Sequence, residues 1–133
     1  MRSLGIDYGT KNIGLALSDE SGTLAFPFDI IDNDDMLVER TLRIAKENGA
    51  KRIVIGESRM ADQDNAIMKK IRTFSDALKK AVDVDVYFEP EQFSSAEAMR
   101  FQPQKGKQKR DDAAAAIILQ RFLDREVTQP DAR

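Results

Sequence analysis

Six carboxylates stand where strands end or a helix begins: Asp7, Glu57, Glu89, Glu91, Asp111 and Asp112. Asp7 lies in the apolar run Leu4-Gly5-Ile6-Asp7-Tyr8-Gly9. An ionised carboxylate in a buried strand is unfavourable or shifts its pKa, so Asp7 needs a partner. A metal ion or a phosphate at the strand's edge is the simplest one. Three or four carboxylates brought together from distant parts of a chain repel one another unless a divalent cation neutralises them. Such a group can hydrolyse phosphodiesters, because the metal activates water and stabilises charge on the leaving oxygen.

Each residue also has a plainer reading. Asp7 can cap the turn at Gly9-Thr10. Asp111 and Asp112 can complement the positive end of a helix. Glu89 and Glu91 can be solvated loop charges. Glu97, three residues after Ser94, reads as a capping box. Residues 83–97 carry Asp83, Asp85, Glu89, Glu91 and Glu97 with no Lys or Arg, a stretch that calls for an outside cation beside a nucleic acid. Lys105, Lys107, Lys109 and Arg110 directly precede Asp111, and Lys11 follows Gly9-Thr10. These cations are either solvated loop charge or a grip on phosphate. Lys69, Lys70 and Arg72 read as solvent-facing charge.

The chain contains neither Cys nor His. That excludes disulfides, thiolate nucleophiles, Cys-based zinc sites, Ser-His-Asp triads and His-ligated metals. Catalysis is left to carboxylates, Lys, Ser/Thr, Tyr or an oxygen-bound metal such as Mg2+ or Mn2+. A net charge of −2 argues against coating by nucleic acid through bulk charge, yet allows a local basic patch. No apolar run approaches the roughly 20 residues of a membrane span. The N-terminus enters a strand with no signal or transit pattern. The expectation is a cytoplasmic protein without a membrane partner.

The elements that must position these residues follow from the pattern. Residues 2–8, 12–19 and 23–31 read as a three-strand meander, with Pro27 marking an edge strand. A helix runs from a cap at Asn33 or Asp34 to a stop at Gly49, with Val38, Leu42 and Ala45 on one face. Residues 52–56 form a buried strand. Ile67, Ile71, Phe74, Leu78 and Ala81 recur at helical spacing from about Asn65. Residues 84–88 form a fifth strand, Ser94 opens a short helix, and 102–110 is a basic loop. Asp111 to about Glu126 is a final helix. The expected architecture is α/β: a five-stranded mixed sheet of order 3-2-1-4-5, strand 2 antiparallel, with helices on both faces. One domain is expected over 1–126, with 127–133 a frayed tail.

Three blocks resemble one family. Gly5-Ile6-Asp7-Tyr8-Gly9-Thr10-Lys11-Asn12-Ile13-Gly14-Leu15-Ala16-Leu17-Ser18-Asp19 resembles the opening motif of the YqgF (RuvX) family, which is RNase H-like and related to the RuvC Holliday junction resolvases. Glu91-Gln92-Phe93-Ser94-Ser95-Ala96-Glu97-Ala98 is similar to its second block, and Asp111-Asp112-Ala113-Ala114-Ala115 to the start of its closing helix. The chain departs from the family pattern at Pro90, at Gln92 and at Gly56-Glu57-Ser58-Arg59.

The resemblance implies a metal-dependent nuclease that matures the 5′ end of pre-16S rRNA, with Asp7, Glu91 and Asp111 as catalytic residues and ligands of Mg2+ or Mn2+. Asp112 remains an alternative to Asp111. Lys11, Lys109 and Arg110 would hold the phosphates of a nucleic acid, pre-rRNA or branched DNA. The protein would be a monomer or weak homodimer. Two other classes remain in view: a Holliday junction resolvase-type DNA endonuclease, and a non-catalytic nucleic-acid- or ribosome-binding module. Asp7-Tyr8-Gly9-Thr10 also resembles the first phosphate loop of the actin, Hsp70 and sugar-kinase superfamily. Chain length and the lack of a second such loop argue against an ATP-dependent enzyme.

Overall fold

A computed structural model of the chain describes residues 1–58, 65–91 and 111–128. The elements are β1 (Arg2–Tyr8), β2 (Asn12–Ser18), β3 (Ala25–Asp32), α1 (Leu37–Glu47), β4 (Ala50–Ser58), α2 (Asn65–Lys79), β5 (Asp85–Glu91) and α3 (Asp111–Thr128). They build one five-stranded sheet of order β3-β2-β1-β4-β5. β2 is antiparallel to both β1 and β3, while β4 is parallel to β1 and to β5. This is the order expected from the sequence. A meander followed by two crossovers leaves few other ways to keep connections short and right-handed.

The two faces are separate cores. Leu4 and Ile6 of β1, Ile13, Leu15 and Leu17 of β2, and Ile53 and Ile55 of β4 pack under α1 and α2 with Ile71, Phe74 and Leu78. The alternate positions Ala16 and Val54 meet Ala115, Ile118, Leu119, Phe122 and Leu123 of α3. The spacing of the α3 set is i, i+3, i+4, i+7, i+8, one apolar stripe against the sheet. Strand period two thus sends successive residues of β1 to opposite cores.

Several boundaries differ from the sequence expectation. α1 starts at Leu37, not beside Asn33 or Asp34. The Asp34 carboxylate instead accepts the Met36 amide at 3.0 Å and pairs with Arg40, which holds its pKa below the usual value. Asp34 thus organises the turn ahead of the helix. The buried line of α1 is Leu37, Thr41 and Ala45, with Val38 and Leu42 only flanking it. Gly49 supplies the stop with φ +69°. Pro27 lies on the edge strand as expected. A register shift leaves Phe28 unpaired, between the pairs Leu15↔Asp29 and Ala16↔Pro27. β4 and β5 are longer than expected, which places Glu57, Glu89 and Glu91 inside strands and not after them. Pro90 is tolerated because β5 is an edge strand. α3 continues to Thr128. The expected helix at Ser94, the Glu97 capping box, the basic loop and residues 129–133 lie outside the described residues.

The β2–β3 connection is built around Asp19. Its carboxylate accepts the Thr23 and Leu24 amides at 2.9 and 3.2 Å and the hydroxyls of Ser21 and Thr23. The backbone donors lower its pKa from 3.8 to about 2. The folded state therefore binds this proton more weakly than the unfolded chain does. The stabilisation is fully present above the unfolded pKa and is lost as pH falls from 3.8 toward 2. Asp19→Asn is expected to lower the urea midpoint at pH 7. The gap to the parent protein should narrow when the titrations are repeated at pH 2.

Candidate active site

Leu4 and Ile6 occupy the α1/α2 core, so Ser3, Gly5 and Asp7 face α3. Asp7 is half-buried near the end of β1, paired across the ladder with Gly14 of β2. What brings α3 to this strand is Gly5. A Cβ there would lie 2.7 Å from the Leu119 Cβ and 3.0 Å from the Ala115 carbonyl oxygen, so only a residue without a side chain lets the helix settle this close. α3 runs antiparallel to β1: Ala115 meets Gly5, while Glu126 pairs with Arg52 near the start of β4. Asp111 begins the helix one turn before Ala115, so the backbone start of α3 lies at the edge where Asp7 sits.

The middle of α3 is pinned from both sides. The Gln120 amide accepts the Ala25 amide at 2.9 Å and donates to the Thr23 carbonyl at 2.8 Å, closing on β3. Arg52 lies over the Phe122 ring at 5.2 Å and donates to Ser3 Oγ at 3.1 Å. These contacts fix the axial position of the helix, and with it the place of its first turn relative to Asp7.

The other carboxylates divide by strand phase. Glu57 follows Ile53 and Ile55 at alternate positions and so belongs to the α1/α2 face, away from Asp7. Glu89 is 3% exposed and makes a two-point ion pair with Arg125 of α3, one contact being Arg125 Nη1 to Oε2 at 2.9 Å. It is a structural carboxylate, not the loop charge that its sequence position suggested. Removing its partner strands a buried charge, which is worse than removing the charge itself. Arg125→Leu is expected to lower the unfolding free energy by about 2 kcal/mol, and Glu89→Leu combined with it to recover part of that loss. Denaturant titration of the two variants checks the order. Glu91 is the last residue of β5, in register with Ser58, two residues beyond Glu89.

Lys11 is exposed on the β1–β2 turn at the same edge. That turn is tied down by Asn33, whose side chain donates to the Gly9 carbonyl at 2.8 Å and whose amide donates to the Lys11 carbonyl at 2.9 Å. Gly9 is required by the turn itself, since a Cβ there would stand 2.5 Å from the Asn12 carbonyl oxygen. Lys109 and Arg110 lie outside the described residues, and Asp112 is the second residue of α3. Asp7 lies one residue before the end of β1, Glu91 ends β5 and Asp111 begins α3. Among the described residues no three carboxylates gather around one cation-sized space. The fit to a hard cation rests on Asp7, an oxygen donor facing the start of α3 beside a glycine that leaves the neighbouring position empty of side chain.

The family model RuvX, described as a Holliday junction resolvase, matches residues 1–125. The chain belongs to the RuvX family. A RuvX relative from Maridesulfovibrio salexigens, named "Putative pre-16S rRNA nuclease", is 32% identical over 94% of this chain and 99% of its own length. One of the same name from Nitratidesulfovibrio vulgaris is 35% identical over 93% of this chain and 94% of its own. Thermus thermophilus RuvC, solved in complex with a Holliday junction substrate, superposes with a TM-score of 0.64 at 16% identity, covering 96% of each chain. The fowlpox virus Holliday junction resolvase gives 0.59 at 16% identity over 94% of this chain and 99% of its own. These likenesses show the fold, and the RuvX sheet is RNase H-like, as the sequence resemblance implied. This RuvX protein is a nuclease that hydrolyses phosphodiester bonds of a nucleic acid. Among its described residues no helix is long and apolar enough to cross a membrane.

Sequence reasoning missed the Glu89–Arg125 pair. Helical and strand periodicity place each residue on its own element, but which strand a helix's last turn crosses is a tertiary fact. It also left Lys69 and Lys70 as plain solvent charge, although both border a cavity beside Tyr8.

Proposed function

We propose that this RuvX protein is a divalent-metal-dependent endonuclease that processes the 5′ end of pre-16S rRNA in the cytoplasm, acting as a monomer or weak homodimer. Mg2+ or Mn2+ would be held by Asp7, Glu91 and Asp111. The observation that carries this reading is the close seating of α3 on Gly5, which brings the backbone start of the helix toward the edge where Asp7 lies near the end of β1. The RNA substrate is supported by the names of the curated relatives. A bound divalent ion of this kind supplies activated water and neutralises charge on the phosphate.

The chain's own residues do the rest. Asp7 is held rigidly by the central strand. Lys11, on a turn anchored twice by Asn33, offers its ammonium to a phosphate arriving at the same edge. Lys109 and Arg110, immediately before Asp111 in sequence, would add a second grip.

The test is cleavage of an RNA carrying the 5′ leader of pre-16S rRNA, compared with a four-way DNA junction, with Mg2+ or Mn2+ and with chelator. Metal-dependent removal of the leader, lost in Asp7→Asn, Glu91→Gln and Asp111→Asn, is the expected result. Asp112→Asn should keep activity, which separates the two neighbouring carboxylates. RNA binding without cleavage under either metal would overturn the enzymatic reading. A second reading, a resolvase-type DNA endonuclease, is favoured by the description of the family model. It requires paired incisions in the junction, and a dimer by sedimentation at working concentration.

A further inference from the structure

On the sheet face opposite Asp7, a cavity of about 320 Å3 opens between α1 and α2 at the C-terminal edge of β1. The Tyr8 and Phe74 rings line it, with centroids 5.4 Å apart and planes tilted by 50°. Val38 and Ala77 extend the apolar wall. Lys69 and Lys70 bring two exposed ammonium groups to its border. Of the two acidic side chains that also line it, Asp34 is engaged by Arg40 and by the Met36 amide, which leaves Asp35 against the two lysines.

The chemistry of this lining is that of a slot for a flat ring attached to phosphate. Aromatic and aliphatic walls bury an uncharged planar group, and the lysines attract the anion it carries. The volume lies at the small end of ligand pockets, enough for one nucleotide-sized group and too small for a folded peptide segment. Its location gives the source of that ring. Tyr8 follows Asp7 directly in β1, so the cavity and the carboxylate stand on opposite faces of one strand end. A strand of nucleic acid crossing this edge with a phosphate on the Asp7 side would bring a neighbouring base to the Tyr8 side. Proteins that hold single strands combine this same pair of features, cationic borders and aromatic platforms.

We propose that the cavity takes one unpaired nucleobase of the substrate strand, adjacent to the phosphate presented to Asp7. The proposal rests on the nuclease reading of the Asp7 edge and names a specificity device for it: an unpaired nucleotide beside the cleavage point.

The chain has two tyrosines and no tryptophan, so in Tyr87→Phe protein Tyr8 is the sole strong emitter. Titrating that protein with a uridine hexanucleotide in chelator should change Tyr8 emission saturably. A hexameric abasic ribose-phosphate should leave it unchanged. Thr73 is exposed and lines the cavity, so Thr73→Phe fills the slot without touching the core. It is expected to weaken the hexanucleotide by about tenfold. Lys70→Gln should reduce affinity severalfold and flatten its salt dependence. An unresponsive Tyr8, an equal response to the abasic strand, or full affinity in Thr73→Phe would each overturn the proposal. Because no metal and no turnover enter this measurement, it separates from the nuclease reading. Asp7→Asn protein should keep the saturable Tyr8 response, with an affinity no weaker than the parent's because a charge that repels phosphate is gone, while failing to cleave. A responsive Tyr8 in a protein whose cleavage survives Asp7→Asn would leave the cavity standing and remove the Asp7 site.

Discussion

Asp7→Asn protein is expected to fold as the parent does and to lose about a thousandfold of its nuclease activity. The substitution keeps the shape of a half-buried side chain at a β1 position whose neighbours, Ile6 and Tyr8, belong to the other face. It removes one unit of negative charge at the point where a hard cation would bind, and an amide oxygen is a much weaker partner for such an ion. Loss of several kcal/mol of charge stabilisation corresponds to that factor in rate. The thermal midpoint should stay close to the parent's. Activity measured over a range of Mn2+ concentrations checks the assignment. Partial recovery at high Mn2+ would show that the substituted amide weakens metal binding, whereas unchanged activity in ordinary Mg2+ would remove Asp7 from the mechanism.

Gly5→Ala carries the second large effect, and it acts through α3. The added Cβ would meet the Leu119 Cβ at 2.7 Å and the Ala115 carbonyl oxygen at 3.0 Å. Neither can swing away, since one is the root of a buried side chain and the other is helix backbone. The helix must lift or slide, at a cost of about 1–3 kcal/mol. In a chain of this size that lowers the thermal midpoint by about 4–11 °C. The same shift displaces the start of α3 from Asp7, and a misplacement near 1 Å at a reacting centre costs about a hundredfold in rate. Activity assayed well below the midpoint isolates this geometric loss from unfolding. Gly49→Ala is the matching control. Its φ of +69° strains an alanine, yet nothing lies within 4 Å of the new Cβ. It should cost about 1 kcal/mol of stability and leave the rate unchanged.

Much of the fold was legible because β1, β2 and α2 have clean periodicity and clear ends. Period-two alternation in Leu4-Gly5-Ile6-Asp7 and a helical stripe through Ile67, Ile71, Phe74 and Leu78 each have one low-energy reading. Strand ends near prolines and acids were less legible. Glu89-Pro90-Glu91 reads as loop by composition, yet it continues β5, because an edge strand needs no amide from Pro90 and Arg125 neutralises Glu89. The helix signal at Asn33-Asp34 likewise belonged to a turn. Asn33 is used on Gly9 and Asp34 on Arg40 before the helix begins.

By itself the sequence determined the class of chemistry open to this protein. With no Cys and no His, catalysis is left to carboxylates, Lys, Ser/Thr, Tyr or an oxygen-bound metal, and Asp7 in its glycine-flanked strand is the carboxylate that pattern singles out. Residue types, their order and their periodicity are local properties, so they survive without coordinates. The tertiary structure decided which carboxylates share a face. It placed Glu57 on the opposite face of the sheet, locked Glu89 to Arg125, and seated α3 on Gly5 so that its first turn lies toward the end of β1. Those outcomes depend on contacts between elements far apart in the chain, set by packing at the scale of a single Cβ, and no local pattern encodes them.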